Sequence, residues 1–173
     1  HESPQKIFRF VDVPVRQASV QKLVRFVDPN PFVPANPEER DMRAKEIFSI
    51  QVAGLAKRLE AIRARDLVIG LSGGLDSTLA LLVAVKTMET LGVSFKNIHA
   101  FSMPGFGTST RTRNNARRLA ESLGVTFEEI DITKGVSLQF RDIKHDHKNE
   151  SVVYENAQAR YRKAFIWYDA SAP

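Results

Sequence analysis

The 173-residue chain contains no cysteine. That excludes disulfides, thiolate metal sites and a cysteine nucleophile within it. Long hydrophobic runs are missing too: no stretch approaches the roughly 18–20 apolar residues that a membrane span needs. His1–Lys6 lacks the basic-then-apolar pattern of a secretory signal, so a soluble, cytoplasmic protein without a membrane partner is the expectation. Neither a GxxxxGK[ST] string nor a GxGxxG string occurs, which removes the P-loop and the dinucleotide fingerprint. No RNP, KH or zinc-knuckle pattern is present, so no nucleic-acid partner is expected. Repeats and low-complexity tracts are absent. The first residue is His1, not Met, which predicts a fragment or a processed chain.

What is present is an ordinary globular balance, 43% hydrophobic and 26% charged. The length suits one core and is short for two. The net charge of +5 favours phosphate-bearing partners, but a basic piece of a longer, more balanced protein would carry the same sign.

Residues 1–37 read as a connector. Pro4, Pro14, Pro29, Pro31, Pro34 and Pro37 forbid a long helix there, and Ile7–Val13 and Leu23–Val27 are at most short strands. Asn36-Pro37-Glu38-Glu39 then starts a helix: Asn36 caps, Pro37 suits the first helical position and the glutamates favour the positive end. Phe48, Val52, Leu55, Leu59 and Ile62 recur at steps of three and four, which predicts one apolar stripe as far as Arg63. Beyond it the pattern alternates. Strands are expected at Leu67–Leu71, Asn97–Met103 and Thr126–Ile132. Helices are expected at Ser77–Leu91, Thr110–Leu123 closed by Gly124, Lys134–Phe140 and Val153–Lys163, with a loop at His145–Glu150. This order predicts an α/β fold, a doubly wound parallel sheet with flanking helices.

Ser72-Gly73-Gly74-Leu75-Asp76-Ser77 falls where the first strand meets the first helix of that alternation. Open α/β sheets bind ligands at the carboxyl ends of their strands, and a helix beginning there presents unpaired N–H groups. Gly73 and Gly74 let the backbone close around a phosphate, and Ser72 and Ser77 add hydroxyl donors. Asp76 would repel a bare phosphate; Mg²⁺ held on that phosphate gives it a purpose. The competing reading is a tight strand–helix turn with a serine as helix cap. Substituting Gly73 by Val is expected to block a phosphate and leave the fold intact. His145-Asp146-His147 lacks a third ligand at standard spacing, so a solvated loop is expected in place of a metal site. Arg111, Arg113, Arg117 and Arg118 read mainly as an exposed helix face.

Ser72–Ser77 resembles the signature of the N-type ATP pyrophosphatases, which include NAD⁺, GMP and asparagine synthetases and tRNA-modifying ligases. Three further stretches are similar to glutamine-dependent NAD⁺ synthetases in particular: Asn30–Pro34 followed by Glu46–Leu59, Ser102-Met103-Pro104-Gly105-Phe106-Gly107-Thr108-Ser109, and Tyr154-Glu155-Asn156-Ala157-Gln158-Ala159-Arg160. The resemblance covers residues 28–163. It implies an adenine nucleotide alpha hydrolase-like fold and a ligase that amidates deamido-NAD⁺ to NAD⁺ using ATP and Mg²⁺. Gly70, Leu71, Ser72, Gly73, Gly74, Leu75, Asp76, Ser77 and Met103 would bind ATP, with Asp76 on the metal and Met103 against adenine. Asn156 and Arg160 would contact deamido-NAD⁺. No catalytic side chain is implied, because ammonia supplies the nucleophile.

The resemblance also implies a glutaminase domain, absent from this chain, that supplies the ammonia, and a homo-oligomer. Residues 38–163 would then be the first half of the ATP pyrophosphatase domain and residues 164–173 an unassigned tail. Two alternatives remain at this point. One is another SGGxDS enzyme such as a tRNA-modifying ligase; the other is a nucleotide-binding fragment without activity. The pairing of MPGFGTS with YENAQARYR favours the synthetase.

Overall fold

The computed structural model describes residues 11–14 and 25–169. Two compact units divide the chain, residues 1–40 and residues 41–173. In the first, Val11–Pro14 and Arg25–Val27 are without strand structure; the rest of the two expected strand segments lies outside the described residues. A turn follows, with the Val33 N–H on the Asn30 carbonyl at 3.0 Å. Asn36 accepts the Glu38 N–H at 2.9 Å through Oδ1, which is the cap its side chain predicts. Helix α1 (Pro37–Ile62) starts there.

Three parallel strands form the sheet of the second unit, in the order β1 (Leu67–Gly70), β2 (Ile98–Ser102), β3 (Thr126–Glu129). Leu67 stands opposite Ile98 and Gly70 opposite Phe101, while His99 pairs with Thr126 and Ser102 with Glu129. All three strands therefore end at one edge. Helix α2 (Leu75–Leu91) leads from β1 towards β2, and α3 (Thr110–Leu123) joins β2 to β3. Both stop at glycines in the left-handed conformation, Gly92 at φ 65° and Gly124 at φ 70°, where a side chain would be strained. Helices α4 (Thr133–Asp142) and α5 (Val152–Asp169) follow.

Alternation along β2 separates two cores. Ile98 and Ala100 pack with Leu59 of α1, Leu81, Ala84 and Met88 of α2, and Ala116 and Ala120 of α3. Phe101 and Met103 turn to the other face and pack with Val136 and Phe140 of α4 and Tyr154 and Ala157 of α5. Helices thus cover both faces, as the doubly wound expectation requires. On α1 the buried residues are Val52, Ala56 and Leu59, whereas Ile62, placed in the stripe by periodicity, is 54% exposed.

Each expected element of the second unit is present, α3 with the expected bounds and the others with shifted ends. β3 stops three residues before Ile132 because Asp131 turns its carboxylate to the Thr133 N–H at 2.8 Å, which draws the chain into α4. α5 runs without interruption past Lys163 to Asp169, so residues 164–169 continue a helix. The loop at His145–Glu150 is irregular as expected; His145 packs its ring on Phe140, with centroids 5.3 Å apart. Among the described residues no group of three His, Cys, Asp or Glu side chains could hold a metal ion, and no helix is long and apolar enough to cross a membrane.

Candidate nucleotide site

The carboxyl edge of the sheet opens into a cleft of about 450 Å³, within the range of small-molecule sites. The ends of β1 and β2 make its floor, through Gly70, Leu71, Phe101 and Ser102. Loop residues Met103, Pro104, Gly107 and Thr108, the first turn of α3 and one side of α5 make its walls. The Leu71 N–H still pairs with the Phe101 carbonyl at 2.7 Å, so the chain leaves the sheet only at Ser72.

From Ser72 the backbone turns sharply into α2. The N-cap is Gly74, with no side-chain cap bond, so serine capping is not the reason for the motif. Ser72 instead accepts the Gly74 N–H at 3.2 Å through Oγ and lies 3.1 Å from the Ser77 hydroxyl. Ser77 donates to the Gly74 carbonyl at 3.1 Å. The two hydroxyls brace the turn from within. The N–H groups of Leu75, Asp76 and Ser77 meet no protein acceptor among the described residues, as expected for the start of a helix. Leu75 is 84% exposed, so its backbone is what the loop contributes there.

The two glycines differ. Gly73 has φ +79°, and a Cβ on it would collide with the Thr112 carbonyl of α3. Gly74 has φ −88°, and a Cβ there would meet only Ser72 Oγ, at 3.4 Å. The expectation that Gly73→Val spares the fold is therefore corrected: Gly73 is needed for packing α3 against the loop. Gly74 is the residue at which a Cβ would make no more than an ordinary van der Waals contact. Gly70 has a third role, since a Cβ on it would lie 2.9 Å from Ile166 Cδ1 of α5.

Helix α3 also begins at the cleft. Ser109 caps it, accepting the Thr112 N–H at 3.2 Å through Oγ, and Thr108 Oγ1 accepts the Gly105 N–H at 3.1 Å. The start of α3 therefore borders the cleft, a favourable setting for an anion, whereas Gly73, Gly74, Leu75, Asp76 and Ser77 do not line it; Gly73 borders a separate depression with Asn115 and Arg118. Asp76 is exposed in the first turn of α2. A lone carboxylate is a poor metal site by itself but suits Mg²⁺ that is held mainly by substrate phosphates and water.

Met103 is buried, lines the cleft and belongs to the second core. Asn156 and Arg160 are exposed on α5 and do not border the cleft. Arg160 instead flanks a separate depression with Gly135, Gln139 and Tyr161. Of the four arginines of α3, Arg113 and Arg117 bind Glu129, which Arg113 grips through both Nε and Nη2. That grip, above all the hydrogen bond from Arg113, holds the Glu129 carboxyl below its usual range.

Sequence reasoning missed Arg162. It is half-buried, lines the cleft and donates through Nε to the Met103 carbonyl at 3.1 Å. Burial pushes its guanidinium below its usual value. A signal for it exists: Tyr154, Gln158, Arg162 and Ile166 step by four along one side of α5 and turn inwards.

Residues 47–172 match the family model described as NAD synthase. The chain belongs to the NAD synthase family. It is 44% identical over 149 residues to the glutamine-dependent NAD(+) synthetase of Mycobacterium tuberculosis, covering 84% of this chain and 22% of that protein. It is 34% identical over 111 residues to an NH(3)-dependent NAD(+) synthetase of Halobacterium salinarum, covering 64% of this chain and 39% of that one. Among solved structures, the glutamine-dependent NAD+ synthetase of Acinetobacter baumannii in complex with ADP superposes with a TM-score of 0.63 at 27% identity, over 71% of this chain and 23% of that chain. The NMN synthetase of Francisella tularensis gives 0.62 at 28% identity, over 73% and 49%. The family match decides among the SGGxDS enzymes. It also extends to residue 172, beyond residue 163, where the sequence resemblance ends.

Proposed function

We propose that this chain supplies the ATP-binding part of a glutamine-dependent NAD⁺ synthetase. The observation that carries the reading is the Ser72–Ser77 turn at the carboxyl edge of a parallel sheet, with unpaired helix N–H groups beside a cleft, in a chain of the NAD synthase family. The match spans only 22% of the length of the mycobacterial relatives.

In the proposed reaction a carboxylate oxygen of deamido-NAD⁺ attacks the α-phosphorus of ATP. The bond to the β-phosphate breaks, and pyrophosphate leaves. Ammonia then attacks the acyl carbon, the bond to AMP breaks, and the nitrogen loses a proton to give the amide. Backbone donors at residues 72–77 are fixed before the phosphates arrive, so they stabilise charge without rearranging. Mg²⁺, when bound beside Asp76, neutralises phosphate charge. Met103 lies at the base end, and Asn156 and Arg160 hold deamido-NAD⁺ outside the cleft. Ammonia comes from a glutaminase domain outside this chain, and the assembled protein is a homo-oligomer in the cytoplasm. In that protein residues 1–37 are the connector that follows the glutaminase domain.

Separate titrations with deamido-NAD⁺ and ATP test this division of the site. Asn156→Ala is expected to weaken deamido-NAD⁺ binding about tenfold, the worth of a good polar contact, with ATP affinity unchanged. A selective loss of ATP affinity would refute the assignment.

A further inference from the structure

The Ser72–Ser77 loop contains no lysine, unlike a P-loop, so positive charge for a polyphosphate has to come from elsewhere in the fold. Among the described residues bordering the cleft, only Arg162 carries a charged side chain; the polar others are Ser72, Ser102, Thr108, Ser109 and Thr112. Its Nε is occupied by the Met103 carbonyl. The donors on Nη1 and Nη2 meet no carboxylate and no other acceptor among the described residues. Burial disfavours the charge with no paired anion to offset it.

We infer that Arg162 is the charge partner of a phosphate of the bound nucleotide, the one nearest the base. The inference rests on the nucleotide reading above. On that same reading Met103 lies at the base end of the cleft, and a guanidinium tied to its carbonyl then reaches the α-phosphate before the outer ones. The bond to Met103 also fixes the plane of the fork, which leaves the Nη edge pre-set for phosphate oxygens. A stacking role on the base would leave the half-buried charge without an anion. A charge-assisted hydrogen bond supplies one. The i,i+4 neighbour Ile166 packs over Gly70, so the turn of α5 that carries Arg162 is itself held against the end of β1.

Calorimetric titration of the 173-residue chain with adenosine, AMP and ATP, at one ionic strength, tests the inference in Arg162→Gln and Arg162→Lys. Glutamine keeps an N–H donor for the Met103 carbonyl and removes the charge. Arg162→Gln is expected to lose about tenfold or more in AMP and ATP affinity, with adenosine affinity within about twofold of the wild type. Arg162→Lys should lose less on AMP than Arg162→Gln, because the charge remains. Should the Gln variant fail to melt cooperatively, the Lys variant alone decides, through a greater loss on AMP than on adenosine. Equal losses on adenosine and AMP, or no loss on either, would overturn the inference while leaving the nucleotide site standing. A wild-type chain that binds neither AMP nor ATP would overturn the nucleotide reading, and this inference with it.

Discussion

Gly73 and Gly74 stand side by side in the motif and answer to different constraints. Gly73 is fixed by its positive φ and by the Thr112 carbonyl, so Gly73→Ala is expected to lower the melting temperature by several degrees without any ligand present. Gly74→Val should lower the melting temperature less than Gly73→Ala does, by about what a poor N-cap costs, since a Cβ there has only Ser72 Oγ beside it, at 3.4 Å. Its ATP affinity should fall at least about tenfold, because the side chain enters the space a phosphate needs. If Gly74→Val binds ATP normally, the loop is a turn and nothing more. The motif announced both glycines. It did not announce which one serves packing, because the partner of Gly73 is a carbonyl nearly forty residues further along the chain. Glu129 offers a pH test at the same scale. Its folded value lies below its unfolded one, so its stabilising effect is complete above the ordinary carboxylate range and is lost as pH falls through the lowered folded value. Glu129→Gln should therefore melt lower than the wild type at pH 7, with the gap closing as pH falls below the ordinary carboxylate range. A gap that persists in acid would show that the Arg113 pairing is not its cause.

Among the elements, α2 and α3 were readable nearly to the residue because their ends carry local chemistry: Gly92 and Gly124 close them, and Ser109 caps α3. The strand ends and α5 were less legible. β3 is cut short by the turn of Asp131 onto the Thr133 N–H, a contact that an apolar run does not encode. Along α5 the buried side carries Gln158 and Arg162 between Tyr154 and Ile166, and polar residues on an inward face hide the periodicity that marks a buried helix. That is why Arg162 escaped sequence reasoning while Asn156 and Arg160, on the exposed side, were noticed through their motif. The central strand gives the energetic counterpart. Ile98 is fully buried between α2 and α3, so Ile98→Ala should cost ~2–5 kcal/mol of folding stability, read by urea denaturation. A loss below about 1 kcal/mol would mean that β2 is not the centre of the first core.

For the molecule as a whole, the parallel sheet, the helices on both its faces and the family were all legible from one alternating stretch and four motifs. The site was legible only as far as its loops. Its far wall comes from α5, which reaches the cleft by folding back across the sheet, and sequence spacing carries no record of that approach. The claim on which the rest depends is that the Ser72–Ser77 loop holds ATP with Mg²⁺ beside Asp76. Calorimetric titration of this chain with ATP, with and without Mg²⁺, in the wild type and in Asp76→Ala, tests it most directly. Saturable binding that Mg²⁺ strengthens in the wild type, and no longer strengthens in Asp76→Ala, is the predicted result. No saturable binding, or binding equally indifferent to Mg²⁺ in both proteins, would contradict the account.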